Sequence, residues 1–414
     1  MERSIRRSLV SGKITAPASI PMAHRAIVAA TLAQGQSVIS NLPASQEISD
    51  TIAACSFFGA DIVTDKGVAD IFGAEELLPA ANVDCGTSNT ALKLLLPIAS
   101  LFDYEVKFSG AASLSSMSFA PHIAYLSRLG VSSPSQDGLL PFSITGPMQE
   151  HELVYLSRLG TQFFSGLLFA LPLREIPTEI GIEGHFSSEE HATGTVGLMQ
   201  KCGIKFDVCE EDFIYLDGAQ VYSPLADYAV PASQYLSSFP LLAGAIAGRA
   251  SLSNCASTGS QFSSLLAGFG AHFSASGSSC SSSAGALSGC QLNAPELGKY
   301  LPHALVLASI ASGATSIENI SVLPKSAGRR LVLMVRELTR MGARIAEEEN
   351  KLVITGGKLF GAKIEPEGDS AVAMACSIAA LAAEGQTTIS GAECVEKIYS
   401  NFFKDLASLG AIVR

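Results

Sequence analysis

The sequence predicts an α/β protein that is built from six copies of one unit of about seventy residues. The first observation is a recurring helix ending, in which a glycine follows the last apolar residue of a helical pattern. These glycines are residues 59, 130, 203, 270, 342 and 410, and subtracting successive numbers gives 71, 73, 67, 72 and 68. Glycine is common at this position because it adopts the left-handed conformation without strain. The second observation is the last copy, Gly385 to Arg414, which we expect to form a strand, a loop, one helix and a second strand.

Length and charge limit the classes of protein to consider. A chain of 414 residues with 48% hydrophobic content is too long for one ordinary core and sufficient for two domains. The net charge of -11 argues against a protein that binds nucleic acids or membrane surfaces, because most of its surface would repel a polyanion. The apolar run from Ala371 to Ala383 is too short to span a bilayer, and the first residues lack the apolar core of a secretion signal. We therefore predict a cytoplasmic protein without a nucleic-acid or membrane partner.

Cysteine usage indicates neither disulfides nor zinc. The nine cysteines are scattered and form no CxxC pair. His185, Glu189 and His191 lack the spacing of a known ligand set, so no metal site is predicted.

Polar loops lead into apolar helices at several points of the chain. Ser19 is a candidate N-cap, and Pro21 falls in a first turn that tolerates proline. The loop from Asp84 to Thr90 carries small and hydroxyl side chains ahead of an apolar run, so it either binds an anion on its N–H groups or only caps the helix. In contrast, the serine-rich segment from Ser274 to Ser283 is expected to form loose turns. Helices are predicted at 26–32, 49–58, 91–101, 165–173, 301–312, 329–341 and 371–383.

These motifs resemble the 5-enolpyruvylshikimate-3-phosphate (EPSP) synthase family over essentially the whole chain. The resemblance is carried by the segments 16–26 and 391–403 and by Gln162-Phe163. It implies the enolpyruvyl transferase fold, a two-domain inside-out α/β barrel of six repeated βαβαββ-type units. A lower domain of three repeats would comprise residues 1–17 and 227–414, and an upper domain of three repeats residues 18–226. Family members bind their substrates in the cleft between the two domains.

The resemblance also implies an activity. The family transfers the enolpyruvyl group of phosphoenolpyruvate to the 5-hydroxyl of shikimate 3-phosphate and releases phosphate, without a metal or organic cofactor. The implied partners are therefore small anionic metabolites, namely phosphoenolpyruvate and shikimate 3-phosphate or a related acceptor. The implied catalytic residues are Lys299 and Lys397. The implied substrate-binding residues are Ser19, Arg25, Thr90, Lys93, Gln162, Ser188 and Arg330.

Several positions differ from the family pattern. Ile20 stands where the family has a lysine that contacts both substrates, and Lys93 replaces an arginine, exchanging a planar fork for a point charge. Lys299 stands at the position of the catalytic aspartate, and Ala327 at that of a glutamate. Loss of one positioned acid or base typically lowers a rate by about 10²–10⁴. We therefore expect little ordinary EPSP synthase activity.

Three hypotheses remain open from the sequence. The protein is an enolpyruvyl transferase with a different, less anionic acceptor; a catalytically inactive paralogue that acts as a binding or partner protein; or an ordinary EPSP synthase with compensating residues. Two relatives fit less well. UDP-N-acetylglucosamine enolpyruvyl transferase needs a loop cysteine, which the segment 109–119 lacks. RNA 3′-phosphate cyclase needs a reactive histidine, for which His303 is the only late candidate, and the acidic charge disfavours RNA binding.

Overall fold

The computed structural model describes residues 1–183, 189–209 and 213–414. The chain divides into two compact units. The continuous unit is Ala18–Val230, and the discontinuous unit combines Met1–Pro17 with Pro231–Arg414. The second division thus falls after residue 230, where the sequence suggested 226. Within the described ranges, no helix is both long and apolar enough to cross a membrane.

The chain begins with two strands of the discontinuous unit, β1 (Glu2–Arg6) and β2 (Val10–Thr15). The strands of the continuous unit follow: β3 (Gly35–Ser40), β4 (Asp61–Asp65), β5 (Val68–Gly73), β6 (Asn82–Asp84), β7 (Glu105–Ser109), β8 (Phe142–Thr145), β9 (Glu152–Leu156), β10 (Thr178–Glu183), β11 (Phe206–Cys209), β12 (Phe213–Leu216) and β13 (Tyr228–Ala229). Its helices are α1 (Ile20–Leu32), α2 (Gln46–Ser56), α3 (Asn89–Ala99), α4 (Ala112–Ser115), α5 (Ala120–Arg128), α6 (Thr161–Ala170) and α7 (Glu189–Lys201).

The remaining elements belong to the discontinuous unit. Its further strands are β14 (Gly248–Ser253), β15 (His272–Ser276), β16 (Ser279–Ser283), β17 (Gln291–Asn293), β18 (Ala314–Glu318), β19 (Arg344–Glu348), β20 (Lys351–Thr355), β21 (Lys363–Ile364), β22 (Gln386–Ser390) and β23 (Ile412–Val413). Its helices are α8 (Gln234–Ala247), α9 (Ser260–Gly268), α10 (Ala294–Leu297), α11 (Leu301–Ile310), α12 (Lys325–Arg340), α13 (Ser370–Ala379), α14 (Glu393–Glu396) and α15 (Phe402–Ser408).

Small mixed sheets recur with one pattern in each unit. In the continuous unit the strand orders are β13-β3-β5-β4, β6-β7-β8 and β11-β12-β10-β9. In the discontinuous unit they are β15-β16-β14-β2, β17-β18-β20-β19 and β21-β22-β1-β23. Each of these sheets contains one parallel pair next to antiparallel neighbours. A parallel pair needs a crossover, which a helix supplies in units such as β6–α3–β7 and β17–α11–β18.

Two strands belong to one unit, although the helix that follows each of them in the chain belongs to the other unit. β2 leads into α1, yet it pairs in parallel with β14 of the discontinuous unit. β13 leads into α8, yet it pairs in parallel with β3 of the continuous unit. In addition, β1 lies between β22 and β23. The first seventeen residues therefore complete two sheets of the discontinuous unit.

Helices that are apolar on every side form the centre of each unit. In α1 all residues from Met22 to Leu32 are buried, and α3 and α6 pack against each other within the same core. In the other unit α11 is buried from Leu301 to Ser309 and α13 from Ala371 to Ala379. A helix without a polar face has to be enclosed. The sheets therefore lie outside the helices, an inside-out arrangement.

The serine-rich segment forms a hairpin, so the prediction of loose turns was wrong. β15 and β16 pair antiparallel, with Gly277 in the turn at a φ of 58°. The small side chains have a packing reason. Ser282 is buried, its hydroxyl donates to the Leu241 carbonyl at 2.5 Å, and a Cβ on Gly244 would lie 2.5 Å from the Ser282 oxygen. Serine is needed where the hairpin touches α8.

The last seventy-residue copy also differs from the prediction. Its strands are present as β22 and β23, but the single predicted helix is two short helices, α14 and α15. The apolar residues Phe402, Phe403 and Leu406 are buried as the pattern indicated. Periodicity located the buried face, but it carried no signal for the break between the two helices.

Glycine lets the last strand of a copy approach the end of the central helix. A Cβ on Gly73, at the end of β5, would lie 1.9 Å from the carbonyl oxygen of Ala33 after α1. A Cβ on Gly356, after β20, would lie 1.7 Å from the carbonyl oxygen of Ala311 after α11. Neither oxygen can move without shifting a helix end.

Replacement of Gly356 by alanine should therefore destabilise the protein. Overpacking of this kind costs about 1–3 kcal/mol, so we expect a lower urea midpoint by circular dichroism. Gly268→Ala is the matched control, because that glycine ends α9 and a Cβ there would meet nothing within 4 Å. The control should be neutral or stabilising by up to about 1 kcal/mol. Equal midpoints for Gly356→Ala and the wild type would contradict this account of the glycine.

Candidate functional site

The predicted substrate-binding residues of the continuous unit lie at the beginnings of its central helices. Ser19 is buried, and its hydroxyl caps α1 by accepting from the Met22 N–H at 3.4 Å. Gln162 lies in the first turn of α6, which begins after Gly160 at a φ of 87°. Thr90 lies in the first turn of α3. The N-terminal ends of helices carry partial positive charge and unpaired N–H groups, so they favour anions.

Arg25 is completely buried and crosses from α1 to α6 and α7. Its Nε donates to the hydroxyl oxygens of Ser165 at 3.1 Å and Thr195 at 2.8 Å. Its terminal nitrogens donate to the carbonyl oxygens of Pro21 at 2.9 Å and Thr161 at 3.3 Å. The guanidinium therefore ties the beginning of α1 to the beginning of α6.

No carboxylate in the described part of the chain lies within ion-pair distance of Arg25. Burial lowers the pKa of Arg25 to about 10, so the side chain stays charged at neutral pH. A buried cation held only by neutral oxygens is costly, since desolvation is not balanced by an opposite charge. An anion bound close to Arg25 would supply that charge.

The loop from Asp84 to Thr90 does hold an anion, and the anion belongs to the protein. Asp50 of α2 accepts from the Thr87 N–H at 2.7 Å and from the Thr87 hydroxyl at 2.6 Å. A Cβ on Gly86 would lie 2.4 Å from the Asp50 carboxyl carbon, so glycine is required for this approach. The sequence left open whether this loop binds an anion or only caps the helix, and in the structure the carboxylate of Asp50 is the anion that the Thr87 donors bind.

Lys93 is half-buried on α3, and burial lowers its pKa. Its charge acts on His122, whose pKa is lowered to about 4 by burial first and by Lys93 second. The His122 Nε2 donates to the Leu159 carbonyl oxygen at 3.1 Å, which places Lys93 close to the segment that precedes α6. A ligand at the beginnings of α3 and α6 would be within the influence of this cation.

In the discontinuous unit, Lys299 lies beside two tyrosines in front of α11. Its Nζ is 5.9 Å from the centre of the Tyr235 ring and 5.6 Å from that of Tyr300. Tyr235 lies in the first turn of α8, and the two rings are 6.0 Å apart. Cation–π contacts of this length help to hold the lysine side chain in place in front of α11.

Arg330 and Asp369 form an ion pair next to these aromatic side chains. The Arg330 Nε donates to the Asp369 Oδ2 at 2.8 Å. The other oxygen of Asp369 caps α13 by accepting from the Ala371 N–H at 2.9 Å and the Val372 N–H at 3.1 Å. Both charges act on Tyr235, so the pair lies close to that ring. Asp369 therefore fixes Arg330 relative to the beginnings of α8 and α13.

A buried carboxylate on α12 stabilises the position of the helix that carries Arg330. Glu337 has no exposed side-chain surface and accepts from Arg336 at 2.6 Å and Arg340 at 3.2 Å. It also accepts from the Glu365 N–H at 3.1 Å. These contacts hold α12, which carries Arg330, against the segment that leads to Asp369.

Lys397 follows α14 on the same side of the unit and is exposed. The carbonyl of Cys394, one turn earlier, accepts from the Ser370 hydroxyl at 2.8 Å. Burial raises the pKa of Cys394, and the charges of Asp369 and Lys397 both act on that thiol. Lys299 and Arg330 therefore both lie near Tyr235 at the beginning of α8, and Lys397 lies one turn after Cys394, which is bonded to the first residue of α13.

The model of the EPSP synthase family (3-phosphoshikimate 1-carboxyvinyltransferase) matches residues 6–406. The chain belongs to the EPSP synthase family. The resemblance noted in the sequence is thereby confirmed.

Relatives in two organisms match essentially the whole chain. The 3-phosphoshikimate 1-carboxyvinyltransferase of Methanocorpusculum labreanum is 32% identical over 425 residues, which cover 100% of each chain. The enzyme of that name from Clostridium perfringens strain 13 is 30% identical and covers 98% of each chain.

Solved structures of this family confirm the predicted fold. EPSP synthase from Acinetobacter baumannii superimposes with a TM-score of 0.86 at 23% identity, covering 100% of this chain and 99% of that one. The enolpyruvyl transferase NikO from Streptomyces tendae has a TM-score of 0.78 at 16% identity, covering 100% and 98%. The inside-out α/β barrel of repeated units is thus shared with both.

The structure divides the site residues that the family resemblance implied into separate groups. Arg25 meets the beginning of α6 near Gln162, Lys93 lies by His122, and Lys299 and Arg330 share Tyr235. Ser188 lies outside the described residues. No group of histidine, cysteine, aspartate and glutamate that could hold a metal occurs in the described ranges.

Sequence reasoning missed four residues of these groups. Ser165 and Thr195 hold Arg25, Asp50 fills the loop before α3, and Tyr235 contacts Lys299. Ser165 and Thr195 had no sequence signal, since each lies more than a hundred residues from Arg25. Tyr235 could have been found from the sequence, because a phenol in the first turn of an otherwise apolar helix places a polar group at the end of that helix.

The buried His303 makes the free energy of unfolding depend on pH. His303 on α11 is buried with its Nε2 2.7 Å from the Ser238 oxygen, and burial lowers its pKa to about 3. The unfolded chain takes up this proton near pH 6.5, so stability present above that pH is lost as the pH falls toward 3. For one such histidine, the loss between pH 7 and pH 5 is about 2 kcal/mol.

We expect His303→Gln to flatten the dependence of the unfolding free energy on pH by this amount. The measurement is urea unfolding at pH 5 and pH 7. His272→Gln is the control, because His272 is exposed on β15. An unchanged dependence in His303→Gln would show that this histidine is not the titrating group.

Proposed function

We propose that this protein is an enolpyruvyl transferase that joins the enolpyruvyl group of phosphoenolpyruvate to a hydroxyl group of an acceptor. Shikimate 3-phosphate is the first acceptor to test, because the relatives are named for it. The observation that supports the proposal is that Lys299 and Arg330, two cationic side chains, both lie near Tyr235 at the beginning of the buried helix α8. Such a concentration of cations suits a doubly anionic donor.

The reaction proceeds by addition and elimination. In the addition the acceptor oxygen bonds to C2 of phosphoenolpyruvate, and C3 receives a proton. In the elimination the bond from C2 to the phosphate oxygen breaks, and the departing phosphate takes up the proton that C3 loses. The products are the enolpyruvyl ether and inorganic phosphate, so atoms and charges balance.

We assign the proton transfer of the addition to Lys299. As an ammonium group it donates the proton to C3, and the amine that results accepts the proton of the acceptor hydroxyl. Its position 5.9 and 5.6 Å from the centres of two tyrosine rings supports this role, because the rings help to keep the nitrogen in one position. Arg330 and Lys397 bind the anionic groups of the donor in this assignment.

Turnover with shikimate 3-phosphate should be slow. Family members place an aspartate at the position of Lys299 and a glutamate at that of Ala327, as the sequence comparison above implies. A single group that both gives and takes the proton is less effective than separate acids and bases. A less anionic acceptor also fits the replacement of the family lysine by Ile20, because that replacement removes a cation that contacts both substrates in the family.

The second candidate is a catalytically inactive protein that binds small anions. The replacement of the aspartate by Lys299 favours it, because a cation at that position strengthens anion binding whether or not chemistry follows. The two candidates differ in one measurable property. Only the transferase releases phosphate from phosphoenolpyruvate when an acceptor is present.

The test is phosphate release from phosphoenolpyruvate and shikimate 3-phosphate at high enzyme concentration. We expect slow release that needs both substrates and falls by about 10²–10⁴ in Lys299→Ala. Arg330→Ala should raise the concentration of phosphoenolpyruvate required. Lys358→Ala is the control, because that lysine is largely exposed and pairs with Glu384 at 3.1 Å on the surface.

Other results would reject particular parts of the proposal. Release that is unchanged in Lys299→Ala removes Lys299 from the proton transfer. Binding of phosphoenolpyruvate without release, repeated with other hydroxylated acceptors, favours the inactive binding protein. Failure to bind phosphoenolpyruvate at all rejects both candidates.

A further inference from the structure

A pocket of about 330 Å³ lies between α9, β17 and α10 of the discontinuous unit. Its apolar lining comes from Leu265, Leu292 and Leu297, together with the buried Tyr300. The Nζ of Lys299 lies 5.6 Å from the centre of the Tyr300 ring. The pocket therefore shares one side chain with the surroundings of the lysine to which we assign the proton transfer.

Hydrogen bonds hold the polar residues of this pocket in place. Gln261 on α9 donates through its Nε2 to the Glu296 carbonyl oxygen at 3.1 Å, which joins α9 to α10. Asn293 donates through its Nδ2 to the Glu296 Oε1 at 2.7 Å. Asn293 is itself held by Asn319, whose Nδ2 donates to the Asn293 Oδ1 at 3.0 Å. A ligand would meet side chains that are already ordered, which reduces the entropy that binding costs.

The atoms that remain for a ligand are mainly acceptors and hydroxyl groups. The Glu296 Oε2 and the Gln261 Oε1 have no hydrogen-bond partner within the described part of the chain. The hydroxyl groups of Ser260 and Ser264 belong to the same pocket. Hydroxyl groups of a ligand match both kinds of atom, because each hydroxyl donates one hydrogen bond and accepts others.

The charge of the pocket disfavours an anion. Glu296 is the only charged residue among the described residues that line it, so a phosphate or carboxylate group would face a like charge. The neutral polar side chains of the pocket include Ser260, Gln261, Ser264 and Gln291. Several such groups suit a ligand with several hydroxyls, whereas an amine would use only the carboxylate.

We propose that this pocket binds the acceptor, and that the acceptor is a neutral compound with several hydroxyl groups, such as a sugar or a cyclitol. The leucines and Tyr300 contact its carbon skeleton, and the ordered polar side chains bond to its hydroxyls. A hydroxyl that the pocket leaves unbound is the one that bonds to C2 of phosphoenolpyruvate. This assignment rests on the proposed function, and it separates an acceptor pocket with a carboxylate from the cations that bind the donor.

The experiment is saturation-transfer NMR of the full chain with four neutral probes, namely D-glucose, D-galactose, D-ribose and myo-inositol. Glucose 6-phosphate is the matched anionic compound. We expect at least one neutral probe to bind, and we expect glucose 6-phosphate to displace it less effectively than an equal concentration of glucose.

Two variants locate the bound probe. Ser264→Leu places a larger side chain in the pocket and should abolish binding, whereas Ala267→Leu adds the same side chain at an exposed position of α9 outside the pocket. Glu296→Gln should weaken binding about tenfold, because a bond to a carboxylate becomes a bond to a neutral amide. Glu347→Gln is its control, since Glu347 is exposed on β19 and does not line the pocket. The affinity for phosphoenolpyruvate should be unchanged in all four variants.

Phosphate release from phosphoenolpyruvate then tests whether the bound compound is the acceptor. We expect release with the neutral probe that binds. This release should be lost in Ser264→Leu and retained in Ala267→Leu.

Each contrary result rejects a different statement. Absence of binding by every neutral probe, or equal binding by Ser264→Leu and the wild type, overturns the pocket assignment and leaves the proposed function to its own test. Tighter binding of glucose 6-phosphate than of glucose, lost in Ser264→Leu, also overturns it, because the pocket would then hold an anion. A neutral probe that binds in the pocket without phosphate release, while shikimate 3-phosphate supports release, overturns the acceptor role alone. Failure to bind phosphoenolpyruvate rejects the proposed function and the acceptor role, whereas NMR still shows whether the pocket binds the neutral probe.

Discussion

The structure depends on the need to enclose helices that are apolar on every side. These helices are buried along almost their whole length: they are α1, α3 and α6 in one unit, and α8, α11 and α13 in the other. Sheets cover them, so polar chemistry is pushed to the helix ends. At the N-terminal ends the backbone offers unpaired N–H groups and partial positive charge. A fold built this way gathers anion-binding positions before any particular side chain is chosen.

The two units treat those positions differently. In the continuous unit much of the binding capacity is used internally, since Asp50 fills the loop before α3 and Arg25 is bonded to hydroxyl and carbonyl oxygens. In the discontinuous unit the terminal nitrogens of Arg330 and the hydroxyl of Tyr235 have no partner within the part of the chain that the structure describes. The cost of a buried charge without a counter-charge explains why Arg25 is surrounded by so many oxygens.

The sequence predicted the repeated unit and its central helices well, because both are written in local patterns. A glycine after each helix and a long apolar run need no knowledge of distant residues. The hairpin β15–β16 was missed, since serine is a weak strand former and its value here is small size against Gly244. The partners of Arg25 were missed because they come from α6 and α7, far along the chain.

Candidate site residues were harder to judge from sequence than the fold. A family pattern identifies a position, but the surroundings decide what the side chain there can reach. Arg25 matches the family pattern and is entirely enclosed, whereas Tyr235 matches none of the family motifs and its hydroxyl has no hydrogen-bond partner among the described residues. Exposure and pairing are properties of the packed chain, so no motif contains them.

The pairing of the first seventeen residues has a consequence for synthesis on the ribosome. Strand β1 finds its neighbours only in β22 and β23, near the other end of the chain. The continuous unit has all its described strands once residue 230 has emerged, whereas the discontinuous unit cannot complete the sheet of β1 until β23 has been synthesised. The edges of β1 therefore stay unpaired while the intervening residues are synthesised, and unpaired strand edges are where a chaperone or a premature partner would bind.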